Sequence, residues 1–579
     1  MQGKYGRIVR AYTKRPWLSA FGFSAAVASS LVSLLIPSFV RRAVDTLTAG
    51  GGAEAALSYA ASIVGLAAAS GVLLFAQRLL LVGISRHLEH ELRTEVFTHL
   101  LRLPAGWFSS QRVGDLLTRL GSDVGAVRMA MGPALMYVAS TSTVLLTAVT
   151  LMVRIDLPLT LASLSMAPLV ALATQFFGSR IYRRWTLAQE ELSRFTARLQ
   201  EHLVGLRVLR AFSCEEFEVK TMGELNQAYF QAGRRLIKVQ SLFYPLLQLL
   251  IGVGFVVVLG YGGLRVMSNR LSLGQFVEFN LYLARLIWPM IAVGWVANLW
   301  QRGAASLARL EELLRQPTEL AVLAAPSVGT GKPLEVEFRQ VSFTYPNAPA
   351  PTLRQVSFRV APGQRVVILG EVGSGKSTLL SLLPRLLPPN PGQVLVGGRD
   401  VRLWELQELR RHVVLVPQTA FLFSATLREN ITMGEPQATE EEVWEVVRQA
   451  GLLTDVQRLP LGLDTVVGER GVTLSGGQRQ RVALARALLL KPSVLLLDDC
   501  LSAVDRSTEA RILQALPHTT TLVATHRLAV AKTADWVVVL ERGRVVEEGT
   551  PEALAAGGGK WSQLLALEEW EEQVVEETR

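Results

Sequence analysis

The chain has 579 residues, of which 50% are hydrophobic and only 19% charged, and its mean hydropathy is +0.30. An ordinary soluble enzyme is excluded by that balance. The net charge of +10 is what inner-loop Lys and Arg give a membrane protein, so a lipid bilayer is the expected partner and nucleic acid is not.

The apolar residues gather in the first half as long uncharged runs. A helix needs about 20 apolar residues to cross about 30 Å of hydrocarbon, and six runs before residue 302 qualify: Trp17–Val40, Ala55–Gln77, Met129–Val153, Leu157–Ser179, Val239–Leu264 and Phe276–Gln301. The first exceeds a signal-peptide core and ends in Arg41-Arg42, which reads as an anchor. Glu278 and Arg285 interrupt the sixth. A mid-bilayer charge costs about 2.5 to 3.5 kcal/mol on insertion scales, so each needs a cavity or a partner, unless Glu278 snorkels from the helix end. Pro37, Pro133, Pro168, Pro245 and Pro289 lie in or beside the spans, where kinks are tolerated.

The connections after the second and fourth spans are long, charged and helically patterned, and the others are short. Together with Lys4, Arg7, Arg10, Lys14 and Arg15, this puts the N-terminus and the long connections in the cytoplasm, with Arg41, Arg42, Arg265 and Arg270 as exceptions. An even number of crossings returns the second half to the same side. Cys214 and Cys500 both fall in cytoplasmic segments without metal-ligand spacing, so free thiols are expected.

Pro317 to Pro333, rich in Ala, Gly and Pro, reads as a linker. Leu334–Tyr345 alternates as a strand. Val366–Leu369 then enters G-E-V-G-S-G-K-S-T, residues 370–378. This is a phosphate loop in strand-loop-helix context. Gly370, Gly373 and Gly375 let backbone N–H groups of the loop, Ser374 and Thr378 included, converge at a helix N-terminus. Lys376 would reach the β- and γ-phosphates of ATP, and Ser377 would sit on Mg²⁺. Strand-like runs at Val413–Val416, Val494–Leu497 and Thr521–Thr525 deliver Gln418, Asp498 and His526. Asp498 would hold Mg²⁺. L-S-G-G-Q at 474–478, ahead of a helix from Arg479, repeats the anion-binding logic.

Phosphate loop, Gln418, L-S-G-G-Q, Asp498 and His526 in this order resemble the ATP-binding cassette exporters, and the resemblance covers essentially the whole chain. It implies a six-helix all-α transmembrane domain over 1–315, a linker over 316–333, and an α/β P-loop ATPase over 334–579 that ends in a helix. The whole would lie multi-pass in the plasma (inner) membrane with both termini and the ATPase cytoplasmic. L-P-A-G-W-F from Leu103 and E-H-L-V-G-L from Glu201 resemble the family's intracellular loops, with coupling helices near Gly106–Gly114 and Leu206–Cys214. Tyr345 would stack on adenine. Gln418 would approach Mg²⁺ and the attacking water, and His526 the γ-phosphate. Ser475, Gly476, Gly477 and Gln478, with Asp505 of the S-A-V-D loop, would serve ATP held by another subunit.

One position departs from the pattern. Hydrolysing members carry Glu after the Asp498 position, and here it is Asp499. The shorter arm withdraws the catalytic carboxylate by roughly 1.5 Å, and a misplacement of about 1 Å can cost about a hundredfold in rate. The pattern implies a half-transporter with a weakly hydrolysing site, paired with a second half that keeps Glu and moving hydrophobic drugs, lipids or peptides. A nucleotide-gated channel, a regulatory subunit, a lipid flippase and an importer's energising subunit are the alternatives. The tail Leu564–Glu577, with Leu564, Leu567, Trp570 and Val574 at helical steps, is expected to form an amphipathic helix that docks on the partner's tail, the alternative being a frayed acidic tail.

Overall fold

The computed structural model describes residues 12–50, 52–108, 110–319, 331–346, 348–468 and 474–567. Lys4, Arg7 and Arg10, most of the linker, and Trp570 and Val574 of the tail lie outside the described residues. The chain divides into two compact units, Met1–Leu101 with Val113–Gln316, and Arg102–Arg112 with Pro317–Arg579.

The first unit holds six helices long and apolar enough to span a membrane: α1 (Pro16–Thr48), α2 (Glu54–Leu101), α3 (Val113–Ile155), α4 (Leu157–Val204), α5 (Glu215–Met267) and α6 (Leu273–Leu314). Each contains one of the expected runs. The long charged connections are continuations of the same helices. The 53 residues of α5 extend about 80 Å at 1.5 Å per residue, far more than the hydrocarbon needs. Short helices stand at Leu206–Ala211 in this unit and at Ala105–Phe108 in the second, inside the two stretches expected to carry coupling helices.

Burial and pairing account for several charges in this unit. Glu278 is 5% exposed, 3.3 Å from Arg41 Nη1, and accepts from the Tyr282 hydroxyl at 3.1 Å. It is therefore partnered inside the bundle and does not snorkel. The same contact explains Arg41 as an exception to the charge rule, and Arg265 is likewise matched by Asp156 at 3.0 Å. Asp156 also caps its own helix by accepting from the Leu159 N–H at 2.7 Å.

In the second unit, β1 (Val336–Phe343), β2 (Leu353–Val360), β4 (Val394–Val396) and β5 (Arg399–Asp400) form an antiparallel sheet in the order β2-β1-β4-β5. A six-stranded sheet runs β10-β9-β3-β8-β7-β6, with β3 (Arg365–Leu369), β6 (Val413–Val416), β7 (Val494–Asp498), β8 (Thr520–Thr525), β9 (Trp536–Glu541) and β10 (Arg544–Gly549). The neighbours β9-β3-β8-β7-β6 are parallel, and β3, β7 and β8 are almost wholly buried, as uninterrupted apolar strands require. The pairs Leu369 with Thr525, Leu497 with Val523 and Val416 with Leu497 align the carboxyl ends of these strands. An open α/β sheet binds its ligand at that edge.

Residues 564–567 of the expected tail helix are described. Trp561 is fully buried in the core of this unit, Leu564 and Leu565 pack against the same core, and Leu567 is exposed. Glu547 accepts from the Lys560 and Trp561 N–H groups and anchors the start of this segment. Trp561→Ala is expected to destabilise the unit by about 3 to 5 kcal/mol, the usual loss for a large buried aromatic. Thermal unfolding of the full chain checks this, and an unchanged transition would show that the tail contributes nothing to the core.

Candidate nucleotide site

Strand β3 ends at Leu369 and the chain turns through left-handed glycines, Gly373 at φ +86° and Gly375 at φ +105°. At Gly375 a side chain would also strike Leu353 Cδ2 at 2.8 Å. Glycine is required there by both φ and space. The helix α7 (Lys376–Leu382) follows directly. Lys376 folds over its own loop, donating to the Gly370 carbonyl at 2.6 Å and the Glu371 carbonyl at 2.8 Å, with Ser374 Oγ 3.5 Å away. Burial lowers its pKa, opposed by the charges of Asp499, Asp498 and Glu371.

Ser377 Oγ donates to Asp498 Oδ1 at 2.9 Å. A hydroxyl and a carboxylate side by side, next to an anion-binding loop, are the hard oxygen donors Mg²⁺ takes, with water and phosphate completing its shell. The residues present fit that ion. Beyond Asp498 the backbone enters the left-handed region at Asp499, φ 43°, where Asp is better tolerated than most side chains. Its N–H is held by the Ala524 carbonyl at 2.8 Å. The Asp499 carboxylate lies 3.5 Å from Gln418 Nε2 and 3.5 Å from His526 Nδ1, and 3.4 Å from Thr525 Oγ1. These are the long limits of hydrogen bonding.

Tyr345 lies two residues past the end of β1, not within the strand. Its hydroxyl is 3.1 Å from Thr378 Oγ1, and its ring, 39% exposed, meets Phe343 edge-on with centroids 5.1 Å apart. An aromatic surface thus stands open beside the phosphate loop. Lys376, Ser377, Thr378, Tyr345, Gln418, Asp498, Asp499 and His526 are brought together.

The signature forms a second array. Its helix α8 (Gly476–Leu489) starts three residues earlier than the sequence suggests, because Ser475 and Gln478 make a reciprocal capping box. Gln478 Nε2 also donates to Asp455 at 2.8 Å. A side chain on Gly477 would come within 2.7 Å of the Ala503 carbonyl, so the helix rests directly on the S-A-V-D loop. Asp505 caps the next helix, accepting from Ser507 Oγ at 2.6 Å and the Thr508 N–H at 2.9 Å, contacts that hold its carboxyl well below the usual range.

Two residues went unnoticed in the sequence. Gln480, 7% exposed, approaches the Gln418 carbonyl at 3.4 Å and Ser502 Oγ at 3.3 Å, and accepts from the Ala503 N–H at 3.1 Å. Arg527 donates to the Ser502 carbonyl at 2.5 Å and pairs with Glu509 at 3.0 Å. Gln480 could have been found as a polar residue on the buried face of α8. Arg527 carries no local pattern.

Burial raises the pKa of Asp498. The Ser377 hydrogen bond lowers it, the Asp499 charge raises it and Lys376 lowers it. A raised carboxyl means the fold disfavours the ionised form, so this contribution to stability is present at low pH and lost as pH rises through the folded value. Asp498→Asn is therefore expected to raise the melting temperature of nucleotide-free, Mg²⁺-free protein near neutral pH, with the gain shrinking on acidification. A lowered melting temperature at neutral pH would contradict the assignment of Asp498 as an electrostatic cost held for a ligand.

A membrane bundle of six apolar helices joined to a P-loop ATPase with its own signature defines an ATPase coupled to transport, and the chain belongs to the ATP-binding cassette transporter family. The family models "ABC transporter transmembrane region" and "ABC transporter" match residues 19–290 and 353–502. The chain is 36% identical to the probable multidrug resistance ABC transporter ATP-binding/permease protein YheI of Bacillus subtilis (strain 168), over 98% of each chain. It is 34% identical to the multidrug resistance-like ATP-binding protein MdlA of Escherichia coli (strain K12), over 97% of this chain and 96% of that one. Its fold is similar to that of a bacterial Atm1-family ABC exporter solved with ATP bound, with a TM-score of 0.79 at 27% identity over 95% of this chain and 98% of that one.

Proposed function

We propose that this chain is one half of a heterodimeric exporter in the inner membrane, holding ATP at a site that turns over slowly and lending its signature to a faster site on its partner. The observation that carries this is Asp499. The strand end and the Ala524 carbonyl fix its backbone, and its short carboxylate reaches Gln418 and His526 only at 3.5 Å. A Glu there would extend further toward a water at the γ-phosphate. Lys376 and the loop N–H groups bind the phosphates, Ser377 and Asp498 hold Mg²⁺, and Tyr345 carries the adenine. Bound Mg²⁺ supplies neutralisation of phosphate charge. The signature residues Ser475 to Gln478, with Asp505 nearby, close the partner's site, where Glu replaces Asp499.

On this reading two bound ATP molecules draw the soluble domains together, the membrane cavity turns outward, and hydrolysis at the partner's site resets it. The relatives named for multidrug resistance support drugs as cargo, and hydrophobic compounds, lipids or peptides fall within the same reading. Inside-out vesicles containing the assembled pair should accumulate labelled Hoechst-type dye only with hydrolysable ATP. Dye flux independent of ATP would favour a channel. Recovery of an active homodimer from this chain alone would overturn the heterodimeric part of the proposal.

A further inference from the structure

The membrane unit contains a pocket of about 310 Å³ between α1, α2, α3 and α6. Its composition is unusual for a bundle in hydrocarbon. Arg78 and Arg285, both exposed in this chain, line it and no Asp or Glu does, and neither guanidinium has an ion pair or hydrogen bond among the described residues. Unpaired cations at membrane depth mark sites of function more often than of packing.

The hydroxyls around them point to a more specific ligand. Ser30, Ser33, Ser70 and Thr141 have already donated to backbone carbonyls, of Ala26, Ser30, Ser29 and Tyr137, and present only lone pairs to the pocket. Gln77 is 3% exposed, and its side-chain amide oxygen has no partner. The Ser140 hydroxyl is likewise buried without one. A buried amide left unsatisfied costs about 1 to 3 kcal/mol, so Gln77 is held in readiness for a donor. The backbone agrees. Gln77 directly precedes the π-helical turn Arg78–Val82, the π turn Ala130–Ala134 precedes the α3 residues of the pocket, and Pro289 lies inside α6 one turn beyond Arg285. Such interruptions accompany binding sites in helices.

The geometry points to a binding site for a monoanionic amphiphile that carries an N–H or O–H donor next to its anionic group. The anion is received by Arg285 and Arg78 and the donor by Gln77, with the exposed Trp288 beside the apolar body. This deepens the export reading by naming the class of cargo, and it rests on that reading only for transport, not for binding.

The test uses the full chain assembled with its partner half in phosphatidylcholine nanodiscs, with N-dodecanoyl-leucine and its uncharged amide as probes. The acid is expected to bind about tenfold or more tightly than the amide, the scale of one charge-assisted hydrogen bond. Arg285→Gln should erase that difference, and Gln77→Leu should weaken both probes alike. Fluorescent ATP binding, unchanged in both variants, reports that the protein is folded. Phosphatidylglycerol added to the discs should compete with the acid if a lipid phosphate uses the same site. Competition lost in Arg285→Gln supports the site with lipid as the source, and no competition supports a soluble acid as the source. Equal binding of acid and amide, or a preference that survives Arg285→Gln, overturns the proposal. ATP-driven uptake of the acid into inside-out vesicles is read separately, so that binding without uptake faults the export reading and not the site.

Discussion

Replacing Gly477 by valine is expected to reduce steady-state ATPase of the assembled transporter by about a hundredfold or more, the scale of removing preorganised donors from a site of developing charge. Two effects act together. A first side-chain atom would already lie 2.7 Å from the Ala503 carbonyl, so the S-A-V-D loop or the start of α8 must move. The bulk would also stand between the Ser475 to Gln478 backbone and the phosphate it is meant to approach. Gly476→Ala provides the contrast, because its nearest neighbour is the Ala503 side chain at an ordinary 3.5 Å. Colourimetric phosphate release from the reconstituted pair checks both. Near-normal turnover in Gly477→Val would show that this signature closes no working site.

Lys376→Ala is expected to weaken ATP binding at this chain's own site by about 10- to 100-fold, the worth of a charged hydrogen bond. The ammonium bridges the Gly370 and Glu371 carbonyls, which holds it at the loop expected to cradle the phosphates. Lys376→Arg should not rescue. The longer planar fork cannot take the place of a compact ammonium tucked into its own loop. Photolabelling with azido-ATP, resolved by subunit, reads the loss, and undiminished labelling of this chain would refute the assignment.

Most of this architecture could be read in the residues, for physical reasons that differ by region. The spans were legible because hydrocarbon demands length and apolarity and little else. The phosphate loop was legible because only glycine suits φ +105° at Gly375 beside Leu353. The helix start at Gly476 is not visible in apolar periodicity because the Ser475–Gln478 capping box decides it. Pairings between distant residues were invisible. Glu278 meets Arg41 across 237 positions, and Gln480 joins the loop at Gln418 to the loop at Ser502 and Ala503 from within a helix. For a related reason, spacing shows that Leu564 faces something apolar but not that it packs on the core of its own unit, where Trp561 is also buried.

If Asp499 is held too far back to drive turnover, the steady-state ATPase of the assembled complex carrying Asp499→Ala shows it most directly. A change of less than about twofold is expected, because the interaction removed contributes little to the rate-limiting transition state, while removing the partner's Glu should nearly abolish activity. If Asp499→Ala alone stops turnover, Asp499 is a working catalytic base and the asymmetric reading is wrong.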